Sequence, residues 1–303
     1  MRIGLDARKA TGNDSGIGNY TLNLIKALLD ADKDIEILVV HNATRKQQQL
    51  QDPRIQEVRF PFPPLSPLTQ FALGPFLRRQ TFDVFHSPFD VAPRGLRRPL
   101  VSTIHDLNWI VNPRYNSHNP FFRLFVGAFY RFSLESAMNE ASRILTVSHA
   151  TRHAILEYAP WHASKIRVMY NGIDRSRIYP MEKETAYRML AHLVAPGTPF
   201  VFTVGQGTPY KNHLNAVRGF LEAFGARPEY RMILVRRSWG QDKALQALLQ
   251  SPADYRAIAE ALVTLDQDEA LRARLIAEGH KRLACFSWSN CAQATLAVYR
   301  ELA

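Results

Sequence analysis

Cysteine is nearly absent from this chain: 303 residues hold two, Cys285 and Cys291, both near the end. Two lone thiols build neither a disulfide framework nor a zinc site, and they fit a reducing compartment. Long apolar runs are missing as well. No stretch of about 18 uncharged apolar residues occurs, so no transmembrane helix is expected. The opening MRIGLDARKA carries Arg2, Asp6, Arg8 and Lys9 and is too polar for the core of a signal peptide. Acidic residues are scarce, 27 against 38 Lys and Arg, for a net charge of +11. That balance favours anionic partners. The basic residues are scattered in pairs such as Arg78-Arg79 and Arg97-Arg98, and no helix-turn-helix, zinc-finger or RNA-binding aromatic signature accompanies them, so nucleic acid is not an expected partner.

What is present is a 46% hydrophobic content, enough for a sizeable core, in a chain long enough for two domains. Short apolar runs alternate with helical stretches. Strands are predicted at Met1–Leu5, Ile35–His41, Phe82–His86, Leu100–Ile104, Arg143–Val147 and Ile166–Met169. Helices are predicted over Gly16–Leu29 and Pro120–Ala141. Strands alternating with helices imply a parallel, doubly wound sheet. The proline-rich FPFPPLSP, Phe60–Pro67, reads as a surface loop. A second run of the same kind follows: strand Phe200–Val204, helix Asn212–Ala226, strand Arg231–Val235 and helix Asp242–Leu249. From Pro252 onward only helices can be placed, over Pro252–Leu265, Glu269–Ala284 and Ser287–Leu302. Two strands fall short of a full doubly wound domain.

Several short motifs stand at predicted strand ends, where open α/β sheets bind ligands. Gly16 and Gly18 lie in GIGN at the start of the first helix. They suit either an anion at a helix N-terminus or a tight strand-to-helix turn. His105 and Asp106, in STIHDLNW, follow a strand. The histidine can support a sugar hydroxyl or a developing charge, and the alternative is a structural turn capped by Asp106. Ser148, in LTVSHAT, reads first as a helix N-cap. In GQGTPYKN, Gly205, Lys211 and Asn212 join glycines to a lysine at a helix start, which suits a diphosphate better than a solvated loop. The aromatic helix bearing Phe121, Phe122, Phe125, Phe129 and Phe132 with Arg123 and Arg131 is either interfacial to a membrane or a core stripe. A nicotinamide-binding GxGxxG is not formed, since Thr21 stands where the third glycine would be.

In order along the chain, GLDARKATGNDSGIGNYTLNL, VFHSP, STIHDLNW, ASRILTVSHATR, IRVMYNGID, FVFTVGQGTPYKNHLNAVRGF, SPADYRAIAEAL and LRARLIAEGHKRLACFSWSNCAQATLAVY resemble the retaining GT-B glycosyltransferases of the "glycosyl transferases group one" class, especially bacterial mannosyltransferase-like members. The resemblance implies an α/β fold of two Rossmann-like domains: an acceptor-side domain over residues 1–178, a donor-side domain over 179–286, and a helix over 287–303 returning to the first. It implies transfer of a hexose such as mannose from a GDP- or UDP-sugar to a polysaccharide or lipid-linked acceptor, with no cofactor beyond the donor substrate, and no ligand cluster in the sequence calls for a metal. It places the Gly16–Gly18 loop at the donor phosphate and acceptor, His105 beside the transferred sugar, and Lys211 on the diphosphate. Asn171, in NGID, would mark the end of the first domain. Cytoplasmic residence, peripheral at an anionic inner membrane face, would suit the +11 charge.

The departure from the family lies in the second domain. Its members carry a Gly-rich loop and two glutamates eight positions apart. Here no two glutamates have that spacing, and after Gly240 the only glycine is Gly279. An internal deletion near Gln250–Ser251 accounts for this, leaving the second domain abbreviated. Two alternatives follow: a catalytically impaired remnant that only binds, and, behind it, a nicotinamide-dependent dehydrogenase.

Overall fold

A computed structural model of the chain describes residues 1–10, 15–44, 50–116, 120–176, 178–206, 209–237 and 255–303. The first apolar runs form strands β1 (Arg2–Asp6) and β2 (Glu36–Asn42), with helix α1 (Gly16–Ala31) between them. There follow β3 (Ile55–Phe60), α2 (Pro67–Leu77), β4 (Val84–Ser87), β5 (Leu100–Ile104), the short α3 (Asn108–Val111) and α4 (Pro113–Asn116), α5 (Pro120–Glu140), β6 (Arg143–Thr146), α6 (His149–Tyr158) and β7 (Ile166–Val168). These seven strands make one sheet in the order β3-β2-β1-β4-β5-β6-β7, and every pairing is parallel. Strands β4 and β5 are buried along their whole length, as expected of a sheet covered by helices on both faces. The order reverses between β1 and β4, where Leu5 sits between Val39 and His86. That reversal is the switch point of a doubly wound fold, and its crevice opens at the carboxyl ends of the strands.

The chain then runs through α7 (Lys183–Met189), β8 (Phe200–Gln206), α8 (His213–Phe224), β9 (Arg231–Arg237), α9 (Arg256–Gln267), α10 (Glu269–Leu283) and α11 (Trp288–Leu302). It divides into two compact units. One comprises Met1–Pro113, Pro120–Arg175 and Ala284–Ala303, and the other Arg114–Asn119 and Ser176–Leu283. The first unit therefore includes α11. Its Cys291, Ala292, Leu296 and Tyr299 enter the same core as Leu24, Ile25 and Leu28 of α1.

In the second unit β8 and β9 pair in parallel from Phe200↔Arg231 to Gln206↔Arg237, and they form a two-stranded sheet among the described residues. Helices α8 and α9 meet closely because Gly219 has no side chain: a Cβ there would come within 2.6 Å of Ile258. On the strands, Phe202 is 55% exposed, Val204 62% and Val235 50%.

The stretch before and after the proline-rich segment differs from the sequence reading. Ile55–Phe60 is a strand, and the proline-rich loop ends in a helix. Strand β3 carries Gln56, Glu57 and Arg59 because it is an edge strand, so it lacks an apolar run. Pro67 is the first residue of α2, where a missing N–H costs nothing, and the Ser66 hydroxyl caps that turn by accepting from the Leu68 amide. The aromatic helix α5 divides along its length: Phe121 and Phe125 are 73% and 71% exposed, whereas Leu134, Ala137 and Met138 are buried. The expected helix Asp242–Leu249, the junction at Gln250–Ser251, and Gly207 and Thr208 of the GQGTPYKN motif lie outside the described residues.

Candidate active site

In the first unit the site is built from strand ends. Asp6 closes β1, and Arg8, two residues on, grips its carboxylate with two bonds, Nε to Oδ1 at 2.8 Å and Nη2 to Oδ2 at 2.6 Å. The remaining nitrogen, Nη1, donates to the Phe62 carbonyl and to the Thr69 hydroxyl, each at 3.0 Å, and the guanidinium lies 5.2 Å from the centre of the Phe60 ring. Both charges are fully buried. Such a pair is tolerable only with its bonds complete, and here it ties the loop after β1 to β3 and α2.

The two glycines of α1 do different things. The Gly18 amide donates to the Ser15 hydroxyl at 3.0 Å, and a Cβ at Gly18 would lie 2.8 Å from the Lys9 carbonyl oxygen and from the Ser15 hydroxyl. Gly18 is thus the tight-turn glycine. A Cβ at Gly16 would meet nothing within 4 Å, which leaves open space at the N-terminus of a 16-residue helix.

His105 follows β5. Its Nε2 lies 3.0 Å from the Pro88 carbonyl oxygen, an acceptor only, so Nε2 carries the proton and Nδ1 the lone pair. The ring stands edge-on to Tyr20 at 5.0 Å. Burial holds its pKa below the usual histidine value, against the opposing pull of the Pro88 carbonyl and Asp106. Asp106 accepts from the Asn108 amide at 2.9 Å and so caps the turn into α3. Ser148 accepts from the Thr151 amide at 3.0 Å, as an N-cap should. The Thr151 hydroxyl in turn donates to the His105 carbonyl at 2.9 Å, so the cap of α6 also holds the His105 backbone.

Two residues here escaped the sequence reading. Asp90, in the loop after β4, has a buried Oδ1 without a hydrogen-bond partner. Burial, with help from neighbouring Asp106, pushes its carboxyl up to about 7, while Lys9 and the His105 amide pull the other way. The signal was a single acid in an apolar loop just past a predicted strand. His86, inside β4, is wholly buried. Its Nδ1 meets the Tyr299 hydroxyl at 2.5 Å, and its Nε2 meets the Thr103 hydroxyl at 2.7 Å. Thr103 in turn meets the Tyr20 hydroxyl at 3.1 Å. Burial pulls His86 down to about 3, so it is neutral. A buried polar chain thus runs from α11 to the tyrosine that packs on His105.

Asn171 lies past β7, with its Oδ1 buried and unbonded. Next to it, Gly172 is a close-approach glycine, since a Cβ would fall 2.2 Å from the Trp288 backbone nitrogen.

The second unit holds the other candidates. Gly205, near the end of β8, lets the His213 ring approach: a Cβ would lie 3.0 Å from its Nε2. That nitrogen is 3.1 Å from the Gln206 carbonyl. Lys211 ends a 3-10 turn, Pro209–Lys211, is exposed, and holds its ammonium 5.0 Å from the centre of the Tyr210 ring. Asn212 precedes α8 in the left-handed conformation, φ 53° and ψ 30°, and makes no side-chain cap bond. His105, Asp106, Asp90 and the Gly16–Gly18 turn thus lie at the carboxyl ends of one sheet, and Gly205, Lys211 and Asn212 at the end of β8. No cluster of three His, Cys, Asp or Glu among the described residues could hold a metal.

Residues 15–177 match the family model described as Glycosyltransferase Family 4. No curated protein matches the chain. Among solved structures, HepE from Anabaena, crystallised with UDP and glucose, is similar at 20% identity and a TM-score of 0.54, over 82% of this chain and 65% of that one. WaaG, a glycosyltransferase involved in lipopolysaccharide biosynthesis, is similar at 10% identity and a TM-score of 0.59, over 82% of this chain and 66% of that one. A glycosyltransferase from Rickettsia africae is similar at 11% identity and a TM-score of 0.56, over 99% of this chain and 98% of that one. At these identities the likeness speaks to the fold, which is the α/β, Rossmann-like GT-B fold. The chain spans about 65% of the length of HepE.

Proposed function

The chain belongs to Glycosyltransferase Family 4, and on that footing we propose that it transfers a hexose from a nucleotide sugar to a saccharide or lipid-linked acceptor, with retention at the anomeric carbon. The observation that carries this reading is the group at the carboxyl ends of β4 and β5. A neutral His105 is held by Pro88, Tyr20 and Thr151, with Asp90 and Asp106 close by. A neutral imidazole and two carboxyl groups at a switch-point crevice suit a polyhydroxylated ligand. Lys211 and the start of α8 would take the diphosphate as charge develops on the leaving group. HepE was crystallised with UDP-glucose, so UDP-glucose is the first donor to try, with GDP-mannose beside it.

No described helix is long and apolar enough to cross a membrane. Exposed Phe121, Leu124 and Phe125 on α5, in a chain of charge +11, support a peripheral contact with an anionic membrane face.

A second reading, a remnant that binds but transfers slowly, is favoured by the β8–β9 sheet, two-stranded among the described residues, and by the missing glutamate pair. Calorimetry and turnover across a panel of nucleotide sugars test both. Binding with turnover supports the enzyme, and binding without turnover the remnant. Binding of no nucleotide sugar overturns both readings.

A further inference from the structure

The opposite end of the same sheet carries a feature that the transferase reading does not use. Between the end of α2 and the approach to β5 lies a cavity of about 230 Å³ whose lining includes Arg78, Gln80, Thr81, Leu96, Arg97 and Arg98. It has room for roughly seven waters at about 30 Å³ each, so a phosphate or diphosphate group fits with space for the atoms that bear it. Strand β4 begins at Val84 and β5 at Leu100, so the cavity sits at their amino ends. His105 follows the other end of β5. Five residues of strand separate the two, about 16 Å at 3.3 Å per residue. The cavity is therefore not part of the candidate active site.

Three arginines line this space, and no salt bridge among the described residues engages any of them. Arg78 is held by a neutral group: its Nε and Nη2 donate to the Gly95 carbonyl at 3.3 and 2.9 Å. The nearby carboxylate of Glu140 is already occupied, accepting from the Gly95 amide at 3.2 Å and pairing with Arg94 at 3.5 Å. Three arginines on one lining with no ion pair among the described residues carry like charge, and an oxyanion bound in the space they line would be attracted by all three. Guanidinium groups match phosphate oxygens two at a time, and the Thr81 hydroxyl and Gln80 amide add neutral donors. The leucine side of the lining suits the carbon skeleton attached to the phosphate. We propose that this cavity binds a phosphate monoester or diphosphate group, carried by a phospholipid headgroup or by a phosphorylated small molecule, independently of the donor nucleotide.

The test uses the full chain carrying Lys211→Ala, which weakens the candidate donor-phosphate contact, with and without Arg97→Ala/Arg98→Ala, so that the difference between the two chains reports the cavity. Both arginines are exposed, so the melting temperature should be unchanged, and it is recorded as a control. Calorimetry with pyrophosphate and flotation with phosphatidylcholine vesicles, plain or doped with phosphatidic acid, are the two arms. The double substitution should weaken pyrophosphate binding at least about tenfold, as expected for the loss of two charge-assisted contacts. Arg97→Lys/Arg98→Lys should recover part of the affinity. Loss in both arms assigns the site to a lipid headgroup, and loss in the pyrophosphate arm alone assigns it to a soluble phosphate. If neither arm changes, or if pyrophosphate does not bind the Lys211→Ala chain at all, the proposal fails.

Discussion

The first unit wraps a seven-stranded parallel sheet whose central strands are buried, whereas the described part of the second unit pairs two strands that leave Phe202, Val204 and Val235 half exposed or more. Both are βα units of the same general kind, so the difference lies in closure. Fully burying an apolar side chain contributes about 1.5–3 kcal/mol, and the second sheet forgoes about half of that at each of three positions. The candidate groups follow the same division. His105 is locked by a carbonyl, a ring and a capped helix, while Lys211 stands exposed beside one tyrosine. Pre-organisation of that sort separates a site that fixes geometry from one that only attracts charge.

The comparison breaks most visibly at Arg8. Arg8→Ala leaves Asp6 buried without its partner, and should cost about 3–5 kcal/mol, read as a large fall in the melting temperature of the first unit. A smaller loss would mean that the loop after β1 is not held as described. Next comes Gly18→Ala, which forces a Cβ toward the Lys9 carbonyl and should cost about 1–3 kcal/mol by overpacking. Gly16→Ala, facing open space, should be nearly neutral in a denaturant melt.

Asp90 gives a pH-dependent effect. Its folded-state pKa, about 7, lies above the ordinary 3.8. The native state therefore keeps a proton that the unfolded chain has lost between those values. The stability this contributes is present below the lower value and drains away as pH rises through the upper. Asp90→Asn should accordingly raise the melting temperature at about pH 8 and change it little at about pH 4. Equal shifts at both would remove Asp90 from the buried cluster. The smallest effect belongs to the second unit. Lys211→Ala should weaken UDP affinity by no more than a few-fold, and chiefly at low salt, because an exposed cation is worth about 0–1 kcal/mol.

The sequence made the first unit plain where burial on both faces turned strands into apolar runs, as in β1 and β5. It hid β3, whose solvent-facing edge carries Gln56, Glu57 and Arg59, and it hid α2, whose opening proline looked like a loop. Ser148 was readable because capping is local, and the structure shows that cap. His86 was not readable, because its chemistry depends on a partner far along the chain: it meets Tyr299, 213 positions away. Asp90 left only the faint signal of a lone acid in an apolar loop, since its shift comes from burial that spacing does not show. The roles of Gly16 and Gly18 also differ by what surrounds each backbone, which spacing alone does not reveal.

The central claim is that the first unit carries a rigid site while the described strands of the second unit are held loosely. Amide hydrogen exchange on the full chain, with and without saturating UDP-glucose, tests it directly. Strands β1, β4 and β5 should be protected to the free energy of global unfolding and β8 and β9 much less, and the donor should slow exchange chiefly across Gly205–Ala216. Equal protection of both sheets, unaltered by UDP-glucose, would contradict it.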